Sequence, residues 1–165
     1  FLSPRCHKMA SWSHRLLLTP VFLSVALRPP PAHSPTILEA CDREKTLFQE
    51  WEYDDAGGLG YFRLEGTGLC LDNAEPFGEE GSLIQVYPCH VIQPGKENQS
   101  WDWDPSKGVI RSRVTGSQHL CIERRRPDSN RLVLTSKCQR QAWTLSPTTR
   151  QLVYNHSKLC LSGVP

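Results

Sequence analysis

Short stretches of alternating apolar and polar residues recur along the chain. A clear example is Ile84-Gln85-Val86-Tyr87, and such stretches are separated by Gly, Pro, Asn and Asp residues. Alternation places the apolar side chains on one face of a half-buried β-strand, and the separating residues favour turns. No stretch shows a sustained apolar period of 3.6 residues. The pattern therefore predicts an all-β domain with almost no helix.

Three sequence motifs recur in a fixed order. They are a Leu-Cys-Leu or Leu-Cys-Ile triplet followed by a polar residue, a strand that ends in cysteine, and a Gln-x-Trp triplet. The first motif occupies positions 69–72, 120–123 and 159–162. The second occupies positions 84–89, 132–138 and 37–41. The third occupies positions 99–101, 141–143 and 49–51. Units of about 40 to 50 residues cannot bury an apolar face alone. The recurrence predicts units packed around one core, which three large tryptophans are suited to fill. Gln49, Gln99 and Gln141 are interpreted as structural residues that hydrogen-bond turn backbone beside these tryptophans.

The seven cysteines indicate disulfides. Their spacing contains no Cys-x-x-Cys and no Cys/His cluster of the zinc-finger type, so we expect no structural metal. The repeat predicts that Cys70 pairs with Cys89 and Cys121 with Cys138. Each bond would stabilise the fold by about 3 kcal/mol in the chain-entropy picture. Disulfides require an oxidising compartment, which predicts a secreted or lumenal protein of the secretory pathway, with the Golgi as one location.

The first part of the chain resembles a signal peptide. A run of a dozen mostly apolar residues from Leu16 to Leu27 follows Arg15. This run is shorter than the roughly twenty residues needed to cross a bilayer, so we expect no membrane span. Three prolines follow it, which is unlike an ordinary cleavage site. We therefore assign residues 1–35 to a signal-peptide-like or non-native segment, disordered or removed, and residues 36–165 to the folded domain.

Charge and motif content exclude several function classes. The net charge of +2, from 19 basic and 17 acidic residues, lacks the basic excess typical of nucleic-acid binding. The basic run at 124–126 is interpreted as a solvated loop. The chain has no Gly-x-Ser-x-Gly, no His-Glu-x-x-His and no phosphate-binding glycine loop. We therefore expect no enzyme activity from this chain and no cofactor, although a catalytic domain outside it stays an open alternative.

The motifs together resemble those of the ricin-B (R-type) lectin family over roughly residues 36–165. The unit around Asp72 is most similar to the lectin domain of polypeptide N-acetylgalactosaminyltransferases. The matching stretches are Cys70-Leu71-Asp72, Tyr87-Pro88-Cys89-His90 and Asn98-Gln99-Ser100-Trp101. This resemblance implies a β-trefoil of three pseudo-repeats. It also implies a lectin that recognises terminal N-acetylgalactosamine or galactose on glycoproteins, with glycans as partners; the oligomeric state stays unknown.

The repeats do not divide evenly along the chain. Two whole units lie between a leading half unit, Thr36 to Glu52, and a trailing half unit, Gln151 to Ser162. Either the chain is an incomplete trefoil from a longer protein, or its two ends complete one lobe together. The second alternative predicts a disulfide between Cys41 and Cys160.

The resemblance assigns the sugar pocket to the first whole unit. A sugar offers vicinal hydroxyls and a weakly apolar face, so a pocket needs a carboxylate, an amide and a ring. Asp72 would supply the carboxylate, Asn98 the amide, His90 a further polar partner and Tyr87 the stacking wall. Simpler roles compete, because Asp72 could cap a turn and Tyr87 could serve packing alone.

The other units lack one or more of these groups. The second has Glu123 in place of the aspartate, and the third has Ser162, so we expect one sugar site and not three. Asn155 begins an N-glycosylation sequon, and Asn98 begins another that would crowd the pocket. Two further interpretations therefore compete with a free lectin. One is the lectin part of a glycosyltransferase, and the other is a scaffold for protein interaction that has lost sugar binding.

Overall fold

A computed structural model describes residues 33–42 and 48–163. The signal-peptide-like segment lies outside the described residues except for its last three positions, 33–35. Within the described part, twelve strands and one short 3-10 helix form, and the all-β prediction is confirmed. The elements are β1 (Ser34–Ala40), β2 (Trp51–Asp54), the 3-10 helix (Ala56–Gly58), β3 (Tyr61–Leu64), β4 (Leu69–Asn73), β5 (Ile84–Pro88), β6 (Trp101–Asp104), β7 (Val109–Ser112), β8 (Cys121–Arg124), β9 (Leu132–Thr135), β10 (Trp143–Leu145), β11 (Leu152–Tyr154) and β12 (Leu159–Gly163).

The strands form three lobes of four antiparallel strands. The first lobe is β2 to β5, the second is β6 to β9, and the third is β10 to β12 with β1. In each lobe the third strand pairs with the fourth in the same register, so that Asp72 lies opposite Gln85 and Glu123 opposite Val133. Three equivalent lobes around a common core make the domain a β-trefoil, as predicted.

The two halves of the third lobe come from opposite ends of the described chain. Strand β1 pairs with β12 over five residues, from Thr36 opposite Gly163 to Ala40 opposite Leu159. Just beyond β1, Cys41 forms a disulfide with Cys160, with Cα atoms 5.0 Å apart. The hypothesis that the two ends complete one lobe together is therefore confirmed.

The other two disulfides also follow the repeat. Cys70 bonds to Cys89 in the first lobe and Cys121 to Cys138 in the second. Each joins the third strand of its lobe to the chain at the end of the fourth strand. All three bonds thus occupy equivalent positions in the trefoil.

Tryptophans at the start of each lobe fill the core and join the lobes. Their side chains are at most 2% exposed. Each indole N–H donates to a backbone carbonyl on the third strand of the preceding lobe, so that the three bonds form a closed ring. The pairs are Trp101 with Leu71 at 2.9 Å, Trp143 with Ile122 at 2.9 Å, and Trp51 with Leu161 at 3.0 Å.

The same lobe boundaries depend on a left-handed backbone residue before the second strand of each lobe. Gly60, Gly108 and Arg150 occupy these places, with φ of 66°, 61° and 53°. The carbonyl of each accepts a hydrogen bond from the backbone N–H of the next lobe's tryptophan. At Gly60 the fit leaves no room for a side chain, because an added Cβ would lie 1.9 Å from the Trp101 carbonyl oxygen.

Candidate functional site

A cleft of about 700 Å³ opens beside β4 and β5 of the first lobe. Strands β4 and β5 form two walls of the cleft, and the loop 89–100, which connects β5 to β6, forms the third. All four residues predicted to bind sugar line it, together with eight others. The lining residues are His33, Asp72, Ala74, Glu75, Phe77, Gln85, Tyr87, His90, Val91, Gln93, Lys96 and Asn98. We call it the Asp72 cleft.

The Asp72 carboxylate is fixed by three side-chain amides. Its Oδ1 accepts from Gln85 Nε2 at 2.9 Å, and its Oδ2 accepts from Asn98 Nδ2 at 2.7 Å and from Gln99 Nε2 at 3.0 Å. A carboxylate has about four acceptor positions, so Oδ1 keeps one that these amides do not use. The carboxylate is thus oriented in advance and can accept a hydroxyl from the cleft. The structure does not support turn capping by Asp72, because the donors to its carboxylate are side-chain amides and not backbone N–H groups.

Burial changes the acidity of this group. Asp72 is 1% exposed, and this burial raises the pKa of its carboxyl above the usual value. The hydrogen bonds from Gln85 and Gln99 and the nearby rings of His90 and His33 act in the opposite direction, but burial is the larger effect. The carboxylate is therefore more easily protonated than an exposed aspartate.

Gln99 and Tyr61 hold the loop that carries His90. The Gln99 side chain accepts the His90 backbone N–H at 3.1 Å, and Tyr61 Oη donates to the His90 carbonyl at 2.9 Å. The ring atom Nε2 of His90 lies 3.3 Å from the Lys96 carbonyl oxygen. A carbonyl only accepts, so this contact requires a hydrogen on Nε2 and leaves Nδ1 as the acceptor of the neutral ring.

Tyr87 stands at the edge of the cleft and is partly exposed. The ring of His33, just before β1, meets it edge-on, with centroids 4.5 Å apart and planes at 78°. The Tyr87 ring therefore packs against His33 on one side and lines the cleft on another. Both roles weighed for Tyr87, packing and forming a wall, are compatible with its position.

Sequence reasoning missed Gln85, His33 and Phe77 as cleft residues. Gln85 was detectable, because the alternation of β5 places it on the same face as Tyr87. His33 comes from the far end of the shared lobe, and Phe77 comes from the loop between β4 and β5. No local pattern indicates that either of these two residues meets Asp72.

The sequon at Asn98 lies inside the site. Asn98 is 8% exposed, and its Nδ2, the atom to which a glycan would attach, donates to Asp72. A glycan on this atom would occupy the cleft. At the second sequon, Asn155 Nδ2 donates to the Gln141 carbonyl and to Thr144 Oγ1, both at 2.8 Å, on a part of the surface away from the cleft. Glycosylation at Asn155 stays a prediction.

The second lobe uses its carboxylate internally. Glu123 is 3% exposed; its Oε2 accepts the Tyr154 hydroxyl at 2.9 Å and its Oε1 accepts the Gln139 backbone N–H at 2.8 Å. The chain from Cys138 to Gln141 is also too short to build the loop wall that the first lobe has. Glu123 therefore acts in packing between lobes.

The glutamines of the Gln-x-Trp triplets differ in role. Gln49 and Gln99 bond neighbouring backbone, as predicted: Gln49 Nε2 donates to the Ala40 carbonyl, and Gln99 Nε2 donates to the Pro88 carbonyl. The same prediction is wrong for Gln141. This residue is exposed, has a left-handed φ of 57°, and its side chain makes no hydrogen bond with any residue that the structure describes. The short preceding segment prevents the chain from turning it inward.

The described residues offer no grouping of three or more His, Cys, Asp or Glu that could hold a metal ion. Nor does any described helix have the length and apolar character needed to cross a membrane.

Comparison with known proteins gives one family. The family model for the ricin-type beta-trefoil lectin domain matches two overlapping segments, residues 19–139 and 59–165. Overlapping matches are expected of a sequence with internal repeats. Searches of curated proteins and of solved structures returned no match. Since the two segments cover most of the sequence, and the fold has three lobes of four strands, the chain belongs to the ricin-type β-trefoil lectin domain family, a family of non-catalytic carbohydrate-binding modules.

Proposed function

We propose that the domain binds terminal N-acetylgalactosamine or galactose on glycoproteins through the Asp72 cleft. The observation that carries this proposal is the Asp72 carboxylate, held by three amides with one acceptor position unused. Because its orientation is fixed before binding, little conformational freedom is lost when a sugar hydroxyl donates to it.

Tyr87 and His90 complete the proposed pocket. Galactose and N-acetylgalactosamine carry an axial hydroxyl that leaves one face of the ring apolar, and that face can stack on the Tyr87 ring. His90 Nδ1 can accept a hydroxyl, and Asn98 Oδ1 provides an amide acceptor. Each hydrogen bond to the charged group contributes on the order of 1.5 to 3 kcal/mol at most. We therefore expect weak binding by a single site, increased by multivalent presentation.

The sequence likeness to the lectin domain of polypeptide N-acetylgalactosaminyltransferases supports the choice of sugar. The three disulfides support a secreted or lumenal location, since such bonds persist in oxidising compartments. Glycoproteins occur in the same compartments. The ligand and the location are thus chemically compatible.

A glycan array tests this proposal directly. We expect the wild-type domain to bind glycans that end in N-acetylgalactosamine or galactose, and Asp72→Ala to lose that signal. Glu123→Gln is the matched control, because it also alters a buried carboxylate, but one that bonds to Tyr154 and the Gln139 backbone and does not line the Asp72 cleft. Near-UV circular dichroism checks that each variant is folded. An array on which wild type and Asp72→Ala bind equally contradicts the proposal, and one on which neither binds favours a protein-interaction scaffold.

The raised pKa of Asp72 predicts a pH-dependent affinity. Protonation removes the charge and gives one carboxyl oxygen a hydrogen, which leaves weaker and fewer acceptor positions, so it weakens sugar binding. Because burial raises the pKa, we expect affinity to fall on acidification at a pH above the value of about 3.9 that is usual for aspartate. Titration of the domain with sugar between pH 7.5 and pH 4 measures this, within the range where circular dichroism shows it folded. Constant affinity over that range would refute the prediction.

A further inference from the structure

The Asp72 cleft has an apolar rim. Two large apolar side chains in the described part of the chain are well exposed, Phe77 at 41% and Val91 at 79%, and both line this cleft. Single exposed apolar residues are ordinary on a protein surface. Two of them on one cleft, around a buried carboxylate, match the mixture of apolar walls and few polar groups that binds small molecules.

Phe77 also borders a second hollow. This hollow has a volume of about 210 Å³ and shares Phe77 and Asn98 with the Asp72 cleft. Its lining includes Val114 and Thr115, from the segment between β7 and β8 in the second lobe. The second lobe therefore contributes a wall to the hollow that adjoins the Asp72 cleft, and Phe77 borders both hollows.

The backbone on both sides of Phe77 is held by hydrogen bonds. The next residue, Gly78, donates its N–H to Asn73 Oδ1 at 2.5 Å and accepts from Ser117 Oγ at 2.6 Å. The carbonyl of the preceding proline accepts from Ser82 Oγ at 2.5 Å. These bonds tie the loop to its own lobe and, through Ser117, to the second lobe. An exposed ring on an anchored loop loses little freedom when a ligand covers it.

We propose that the two hollows bind consecutive rings of one glycan, the terminal ring at Asp72 and the next ring against Phe77. This inference rests on the proposed function of the Asp72 cleft and specifies its ligand as a glycan of two or more rings. Both hollows adjoin Asn98, so a glycosidic bond can pass from one to the other beside Phe77. The apolar face of the second ring would pack on the phenylalanine, with Val114 and Thr115 opposite.

Paired monosaccharides and disaccharides test the inference. NMR titration compares two pairs of ligands. The first pair is methyl β-galactoside and lactose. The second pair is methyl β-N-acetylgalactosaminide and the disaccharide in which N-acetylgalactosamine is linked to N-acetylglucosamine. We expect the wild type to bind the disaccharide of at least one pair roughly fivefold to tenfold more tightly, as an aromatic contact provides. Phe77→Ala should lose that preference, because it weakens binding of the disaccharide by the larger factor.

Two further variants control the experiment. Val91→Ala removes the other exposed apolar side chain of the rim and should keep the preference for the disaccharide. Phe77→Tyr keeps the aromatic ring and should also keep the preference for the disaccharide. This variant separates the effect of losing the ring from the effect of damaging the loop. Equal affinities of the wild type for mono- and disaccharide, or equal weakening of both by Phe77→Ala, overturn the two-ring inference alone. If the wild type binds no sugar of either pair, both this inference and the proposed function fail.

Discussion

Replacing Cys41 and Cys160 together with serine is expected to lower the free energy of unfolding by about 4 to 5 kcal/mol. The bond closes a loop with a sequence separation of 119 residues, whereas the other two close loops with separations of 19 and 17. In the chain-entropy picture, a longer loop restricts the unfolded chain more. The bond also joins the ends of β1 and β12, the two strands that complete the third lobe.

Chemical denaturation of the double serine variant measures this effect. The matched control is the Cys121→Ser, Cys138→Ser variant, which opens a loop in one lobe and should lose about 3 kcal/mol. The order of the two losses is the sharper result, because it follows directly from the difference in loop length. A larger loss for the control would show that loop length does not determine the contribution of these bonds.

Replacing Trp101 with alanine is expected to lower the free energy of unfolding by about 3 to 5 kcal/mol. The side chain is 1% exposed, so its removal leaves a cavity in the shared core. It also removes the hydrogen bond that joins the second lobe to the Leu71 carbonyl in the first. Because Leu71 precedes Asp72, we expect sugar binding to weaken as well.

Trp103→Ala is the matched control for this change. Trp103 lies on the same strand but is only partly buried, packed against Phe62 with centroids 6.2 Å apart. We expect it to lose about half as much stability. Urea denaturation followed by circular dichroism compares the two variants. Similar losses at both positions would contradict the central role given to the ring of tryptophans.

The repeats account for most of what could be predicted about the fold. Alternation within strands indicated β-structure, and the equivalent positions of Cys70 and Cys121 indicated equivalent disulfides. The closure of the third lobe was predictable only as one of two alternatives. Local patterns carry no information about pairing between strands that are far apart in sequence, and β1 and β12 are an extreme case.

The site was less accessible to sequence reasoning. Asp72, Tyr87, His90 and Asn98 were brought together as expected, because each lies in a recurring motif or directly beside one. Cleft residues outside the motifs were missed: His33 reaches the site through pairing of distant strands, and Phe77 through the path of a loop. The failure at Gln141 has the same origin, since its motif is intact while the preceding connection is too short to place it.

The closed ring of hydrogen bonds from the three tryptophan side chains affects how such domains can evolve. Its acceptors are the backbone carbonyls of Leu71, Ile122 and Leu161, which every amino acid possesses. The residue that follows each acceptor is an aspartate, a glutamate or a serine. Selection can therefore alter the ligand-binding position of one lobe while the bonds that hold the three lobes together persist. Duplicated units of this kind can lose or gain specificity independently.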